Sequence, residues 1–311
     1  MSLENVDVRD AFFDQLYELG AKDPNVVILS ADMDAFSLRR FAKDYPKQYL
    51  NVGVSEQNMI NVAAGMALHG KKVFCYSIAS FATLRCFEQI KVNVCSLNLP
   101  VCIIGAGAGF SFGYDGPTHH GQQDLSSMRL LPEMAILELS SNDIAQNAAR
   151  YAYERSGPCY IRLDKGPYPD WSSKGHDFEK GYRLLRPLKK WNLVTNGYMA
   201  KAATDAVDAL AAEGIDCGLV DIFRIKPLPE EFVHSLSANS ECLISVEESC
   251  RSGGLSTSLA EALGRTNASC KLLTVAAPDR QLVEYGTREW FHEKYGLDCA
   301  GIVSSVKSLR S

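Results

Sequence analysis

Three polar segments of the 311-residue sequence carry side chains able to do acid–base or binding chemistry. SADMDAF (30–36) holds Asp32 and Met33, and NVGVSEQNM (51–59) holds Glu56 just after a glycine turn. GAGAGFSFGYDGPTHHGQQD (105–124) holds Asp115, His119 and His120. Carboxylates and histidines are the groups that most often give and take protons in catalysis. Each also has a plainer use. Glu56 can stabilise a helix N-terminus, where free N–H groups and the helix dipole meet a carboxylate. Asp-Gly-Pro-Thr-His can be an Asx turn beside a surface histidine. The third segment is harder to set aside, because a long patternless loop in a compact domain is often functional and its glycines allow close backbone approach to a ligand. Its GAGAG run is a weak dinucleotide signal. It lies in a late loop with no helix starting at once, whereas the phosphate fingerprint belongs at the first strand–helix turn.

The elements that must position these segments alternate. Strand-like runs are NVVILSA (25–31), KVFCYS (72–77), PVCIIGAG (100–107), MAILELS (134–140) and GPCYIRL (157–163). Helical spacing predicts helices over 8–19, 55–69, 81–97 and 142–154, the second stopped by Gly70. Near-continuous apolar strands alternating with helices imply an α/β fold whose mainly parallel sheet is covered on both faces. The Gly-, Pro- and Ser-rich stretch around 163–181 reads as a linker. The alternation then resumes with WNLVTNG (191–197), a helix over 200–213, CGLVDIF (217–223), ECLISVE (241–247) and CKLLTVA (270–276). The reading is therefore a first domain over 1–170, a linker over 171–190 and a smaller α/β domain over 191–311. In such sheets ligands gather beyond the carboxyl ends of strands, which is where the three polar segments fall.

Composition narrows the function. Apolar residues are 46% and charged residues 22%, ordinary for a globular chain with a sizeable core. The formal charge is −5 with no basic block, so neither nucleic acid nor an anionic membrane is an expected partner. No apolar run reaches the ~20 residues a membrane-spanning helix needs, and the N-terminus lacks the layout of a signal peptide. The ten cysteines are scattered, with no CxxC and no metal-ligand spacing. They read as buried, reduced apolar residues of a cytoplasmic protein.

GVSEQNM, SFATLRCFEQI, YDGPTHHGQQDLSSMRLLPEM and GPCYIR together resemble the transketolase family, in its order and spacing and over essentially the whole chain. The sequence is similar to the pyrimidine-binding and C-terminal domains, most of all to the C-terminal subunit of a split, two-chain transketolase. Deoxyxylulose-phosphate synthases and the β chains of 2-oxoacid dehydrogenases are similar in outline. The family uses thiamine diphosphate with Mg²⁺, and binds the diphosphate through a Gly-Asp-Gly motif that this sequence lacks. The resemblance thus implies half an active site. An N-terminal partner subunit would bring diphosphate and metal in an α2β2 assembly built on self-association of this chain, and no residue here is a metal ligand.

The resemblance also implies roles. Glu56 matches the glutamate that hydrogen-bonds N1′ of the cofactor's aminopyrimidine, and Phe81 the aromatic stacked on that ring. Asp32 and Met33 match positions lining the cofactor. His119 matches the histidine near the reacting carbon of the sugar, Asp115 an aspartate reading a substrate hydroxyl, and Arg9 and Arg162 arginines that hold a terminal phosphate. Three positions depart from the pattern. Phe36 and Gly107 replace a phosphate-binding serine and histidine, and Ala108 replaces an arginine of the synthases. The expected reaction is transfer of a two-carbon ketol unit from a ketose, phosphorylated or modified at its end, to an aldose. The alternatives are a β subunit of a pyruvate-consuming relative and a non-catalytic binding module of the same fold.

Overall fold

The computed structural model describes residues 6–171, 177–266 and 269–308. The chain forms two compact units. One comprises residues up to Ala108 together with Gln123–Asp170, and the other comprises Gly109–Gln122 together with the chain from Trp171 onward. One division of the chain falls between Asp170 and Trp171. The loop 109–122, which falls inside the first domain as read from the sequence, belongs to the second unit.

The first unit is a parallel sheet in the order β5-β6-β4-β3-β1-β2. Its strands are β1 (Val26–Ser30), β2 (Tyr49–Asn51), β3 (Lys72–Ile78), β4 (Val101–Ala106), β5 (Ala135–Glu138) and β6 (Cys159–Leu163). Residues of β1, β4, β5 and β6 are buried throughout, as strands covered on both faces must be. The helices are α1 (Val8–Gly20), α2 (Phe36–Asp44), α3 (Glu56–Leu68), α4 (Ala79–Thr83), α5 (Phe87–Gln89), α6 (Asp124–Arg129) and α7 (Asn142–Glu154). Asp7 caps α1 by accepting from the Arg9 N–H at 2.9 Å, and Val8, Phe12 and Leu16 form the buried stripe. The single helix expected over 81–97 is instead α4, α5 and a π-helical stretch, Ile90–Cys95. Periodicity alone does not separate these, because wide turns keep the same apolar face.

The second unit is a sheet in the order β12-β11-β8-β9-β7. Its strands are β7 (Tyr182–Arg186), β8 (Trp191–Thr195), β9 (Gly218–Ile222), β11 (Cys242–Cys250) and β12 (Lys271–Ala277), with a short strand β10 (Arg224–Lys226) between β9 and β11 in sequence. All pairs are parallel except β7, which runs antiparallel to β9. β7 lies inside the stretch read as a linker, a correction to that boundary; residues 172–176 of the stretch lie outside the described residues. The helices are α8 (Met199–Ala212), α9 (Glu230–Asn239), α10 (Leu255–Leu263), α11 (Arg288–Tyr295) and α12 (Cys299–Ser308). Leu193, Leu219, Ile244 and Val246 of the sheet share a core with Ala203 and Leu210 of α8 and Ile302 of α12.

None of the ten cysteines, all among the described residues, is in a disulfide. Eight are buried as expected, while Cys270 and Cys299 are partly exposed. Burial pushes the thiols of Cys75 and Cys102 well up, which keeps them in the unreactive protonated form. Among the described residues no helix is long and apolar enough to cross a membrane.

Candidate functional site

In the first unit the site is assembled at the carboxyl ends of β1, β2 and β3. β1 ends at Ser30, whose hydroxyl donates to the Met33 carbonyl at 2.6 Å and folds the chain back. The turn puts Asp32 in the left-handed region (φ 53°), which is uncommon for a residue with a side chain and marks a constrained position. Asn51, at the end of the neighbouring β2, accepts from the N–H groups of Asp32 (3.2 Å) and Gly53 (2.9 Å). One amide side chain thereby ties the Asp32–Met33 turn to the turn that leads into α3. Gly53 takes φ 71°, the positive value that favours glycine there.

Glu56 is the first residue of α3 and is only 3% exposed. Its carboxylate accepts from Arg85 Nη1 at 2.9 Å. The same guanidinium lies over the Phe81 ring, 4.1 Å from its centroid. A planar cation thus makes the two contacts that an aminopyrimidine ring requires, a flat face against Phe81 and a hydrogen-bonding edge toward Glu56. The residues therefore fit the pyrimidine end of thiamine diphosphate. Arg85 was not singled out in the sequence. The signal was available, since Phe81 and Arg85 are four apart and side chains at that spacing meet on a helical turn.

The two expected phosphate-binding arginines are placed differently. Arg9 is half-buried and bidentate to Asp7, through Nε (3.0 Å) and Nη2 (2.7 Å). The Asp7 carboxylate holds its pKa above the ordinary arginine value. Asp10 accepts from the Ser37 N–H at 2.9 Å and so brings the start of α2 beside the start of α1. Phe36, at that start, is 77% exposed, an unusual position for a large apolar side chain.

Arg162 departs from the expected contact. Its side chain has no exposed surface and is forked onto Asp124 (2.8 and 3.1 Å) with Nη1 on Glu138 (2.7 Å). Burial opposes its charge, but Asp124 and Glu138 outweigh burial and hold its pKa well above the usual value. The Tyr160 hydroxyl donates to the same Asp124 at 2.6 Å, and Gly105 on β4 leaves room for it, since a Cβ there would lie 2.6 Å from that oxygen. In this structure Arg162 is an internal tie between β5, β6 and α6 and is not presented to a substrate.

The remaining expected residues belong to the second unit. The segment Gly109–Gly121 closes on itself through reciprocal backbone bonds, Gly109 N–H to Gly121 O (3.0 Å) and Gly121 N–H to Gly109 O (2.9 Å). That is the form of an Ω-loop. Asp115 ends a 3-10 turn (Gly113–Asp115) and is exposed. His119 is partly exposed, with Thr118 Oγ1 2.9 Å from Nδ1 and the Phe112 ring edge-on at 6.1 Å. His120 is buried at 4% exposure, and burial pushes its pKa below the usual histidine value.

The family model for the transketolase pyrimidine binding domain matches residues 4–170, and that for the transketolase C-terminal domain matches residues 181–302. A 6-deoxy-6-sulfo-D-fructose transketolase subunit, SqwH, of Clostridium sp. is 33% identical over 98% of this chain and 95% of its own. A 1-deoxy-D-xylulose-5-phosphate synthase of Geobacter metallireducens is also 33% identical, but this chain spans only 48% of its length. Among solved structures, a split gene transketolase described as an inactive beta4 tetramer superposes with a TM-score of 0.86 at 31% identity, covering 98% of both chains. The transketolase of Campylobacter jejuni, at 17% identity and a TM-score of 0.77, shares the fold over 48% of its chain. The chain belongs to the transketolase family and corresponds to the pyrimidine-binding and C-terminal domains of its split, two-chain members.

Proposed function

We propose that the chain is the C-terminal subunit of a two-chain thiamine diphosphate-dependent transketolase that moves a two-carbon ketol unit from a ketose to an aldose. The observation that carries this is Glu56 at the start of α3, buried and facing a planar group stacked on Phe81. Glu56 would hold N1′ of the aminopyrimidine, Phe81 its face, and the Asp32–Met33 turn would line the cofactor. His119 would meet the reacting end of the sugar as a donor or proton carrier, and Asp115 would read a hydroxyl. Bound cofactor supplies the nucleophilic carbon; the chain's own task is orientation and electrostatics. An N-terminal subunit would bring diphosphate and Mg²⁺, in an α2β2 assembly joined by self-association of this chain. The ten unbridged cysteines suit a reducing, cytoplasmic setting.

For the substrate we propose a ketose whose far end carries a singly charged or bulkier group in place of phosphate. Arg162 is enclosed, Arg9 is already forked onto Asp7, and Phe36 offers apolar surface where the family places a phosphate-binding serine. A sulfonate, such as the one named for the Clostridium relative, bears one negative charge and needs fewer donors than phosphate. The test is ketol transfer by the reconstituted two-chain enzyme across a donor panel. Preference for 6-deoxy-6-sulfofructose or another modified ketose supports the reading, and preference for fructose 6-phosphate and xylulose 5-phosphate removes it. The deoxyxylulose-phosphate synthase relatives give a second reading, which pyruvate consumption without ketol transfer would establish.

A further inference from the structure

The segment 285–292 grips the loop 109–121 at successive points. Phe291 stacks on Phe110 with centroids 4.3 Å apart and rings parallel within 1°, and both side chains are fully buried. The His120 ring stands edge-on to Phe291 at 5.2 Å and to Phe110 at 5.5 Å. Gly286 N–H donates to the Gly113 carbonyl at 3.2 Å, and a Cβ on Gly113 would lie 2.4 Å from the Gly286 carbonyl oxygen. Tyr285 covers Gly116, where a Cβ would lie 2.4 Å from its ring. Gly116 also takes φ 75°, so the loop has a glycine both where the backbone turns and where the ring presses. Behind these contacts Glu248 accepts from Arg288 Nε at 2.7 Å and pairs with His292 Nε2 at 2.7 Å, which fixes α11 beneath the loop.

We propose that residues 285–292 are a positioning device that sets the geometry of His119 and Asp115, through which the C-terminal domain acts on the reaction. The inference rests on the reading that His119 meets the substrate. A loop with several glycines would otherwise sample many conformations, and a displacement of about 1 Å at a reacting group can cost about 10²-fold in rate. Tyr285 is the residue to test, since at 64% exposure its removal does not open the core.

Hydrogen–deuterium exchange on the full chain alone reads the grip without any catalytic assumption. Tyr285→Ala should speed exchange of the loop amides over 113–121 about tenfold or more with little change in melting temperature, and Tyr285→Phe should restore protection. Gly116→Ala, which strains the backbone and strikes the ring, should release the loop in the same way. With the N-terminal partner, Tyr285→Ala should lower kcat about 10- to 100-fold while thiamine diphosphate affinity stays within about twofold. Unchanged loop exchange in both variants overturns the inference. So does a faster-exchanging loop with normal kcat, where His119→Ala abolishes turnover. If His119→Ala also leaves turnover intact, the failure lies in the reading of His119 and the exchange data stand as evidence for the grip.

Discussion

The Arg85 guanidinium lies 4.1 Å above the Phe81 ring while its Nη1 donates to Glu56 at 2.9 Å. If Glu56 and Phe81 seat the aminopyrimidine as we propose, a side chain of the protein itself occupies that seat, on a residue exposed enough to leave it (42% of the side chain). Removing the occupant should favour the cofactor. Arg85→Gln in the two-chain enzyme should tighten thiamine diphosphate about five- to thirtyfold, because the part-exposed Arg85 gives up an ion pair to the buried Glu56 and a cation–π contact to Phe81 that together hold it by about 1–2 kcal/mol. Titration calorimetry measures this. Weaker binding would instead make Arg85 a ligand of cofactor or substrate.

Glu56→Gln keeps the shape of the side chain and removes its charge. Turnover of the assembled enzyme should fall about 10²–10⁴-fold, as for loss of an acid–base group. Steady-state rates near those of the unaltered enzyme would take Glu56 out of that role.

Arg162 separates a structural from a substrate role. Arg162→Ala leaves Asp124 and Glu138 buried without their counter-charge, and breaking a buried pair in this way costs about 3–5 kcal/mol. Thermal unfolding should show a large loss of stability. A stable variant whose donor KM rises would mean that Arg162 reaches the substrate after all.

The acid sensitivity of the second unit should trace to Glu248. Burial works against its charge, yet Arg288 and His292 outweigh burial and hold its pKa below the ordinary value of 4.5. A depressed folded-state pKa makes the folded form bind fewer protons than the unfolded chain. Its stabilisation is therefore complete above pH 4.5 and is lost as pH falls below it toward the folded value. Glu248→Gln should flatten unfolding free energy against pH in that range. An equally steep acid limb in the variant would assign the effect to other carboxylates.

Much of this was legible in the sequence. The helix expected over 142–154 coincides with α7, and the alternation of apolar strands with helices accounts for both sheets except the edge strands β2 and β7. β7 hides because it is a short edge strand of mixed burial, Tyr-Arg-Leu-Leu-Arg, in a polar stretch. α2 is similarly hidden, with a net-polar helix behind an exposed Phe36. Motif order singled out Glu56, Phe81, Asp115 and His119, whose roles we propose, because each lies within a short run of adjacent residues. The membership of the loop 109–122 in the second unit was not readable, since it depends on the stacking of Phe110 on Phe291, far along the chain. The enclosure of Arg162 was missed for the same reason, because its partner Asp124 arrives from another element.

We propose that this chain holds the pyrimidine end of a thiamine diphosphate site and lacks the diphosphate end. Calorimetric titration of thiamine diphosphate with Mg²⁺ tests it most directly, on the chain alone and then with its N-terminal partner. The chain alone should show no measurable binding and the pair should bind tightly, with binding abolished by Phe81→Ala together with Glu56→Gln. Tight binding by the chain alone would contradict it, because a complete cofactor site would then lie within these residues.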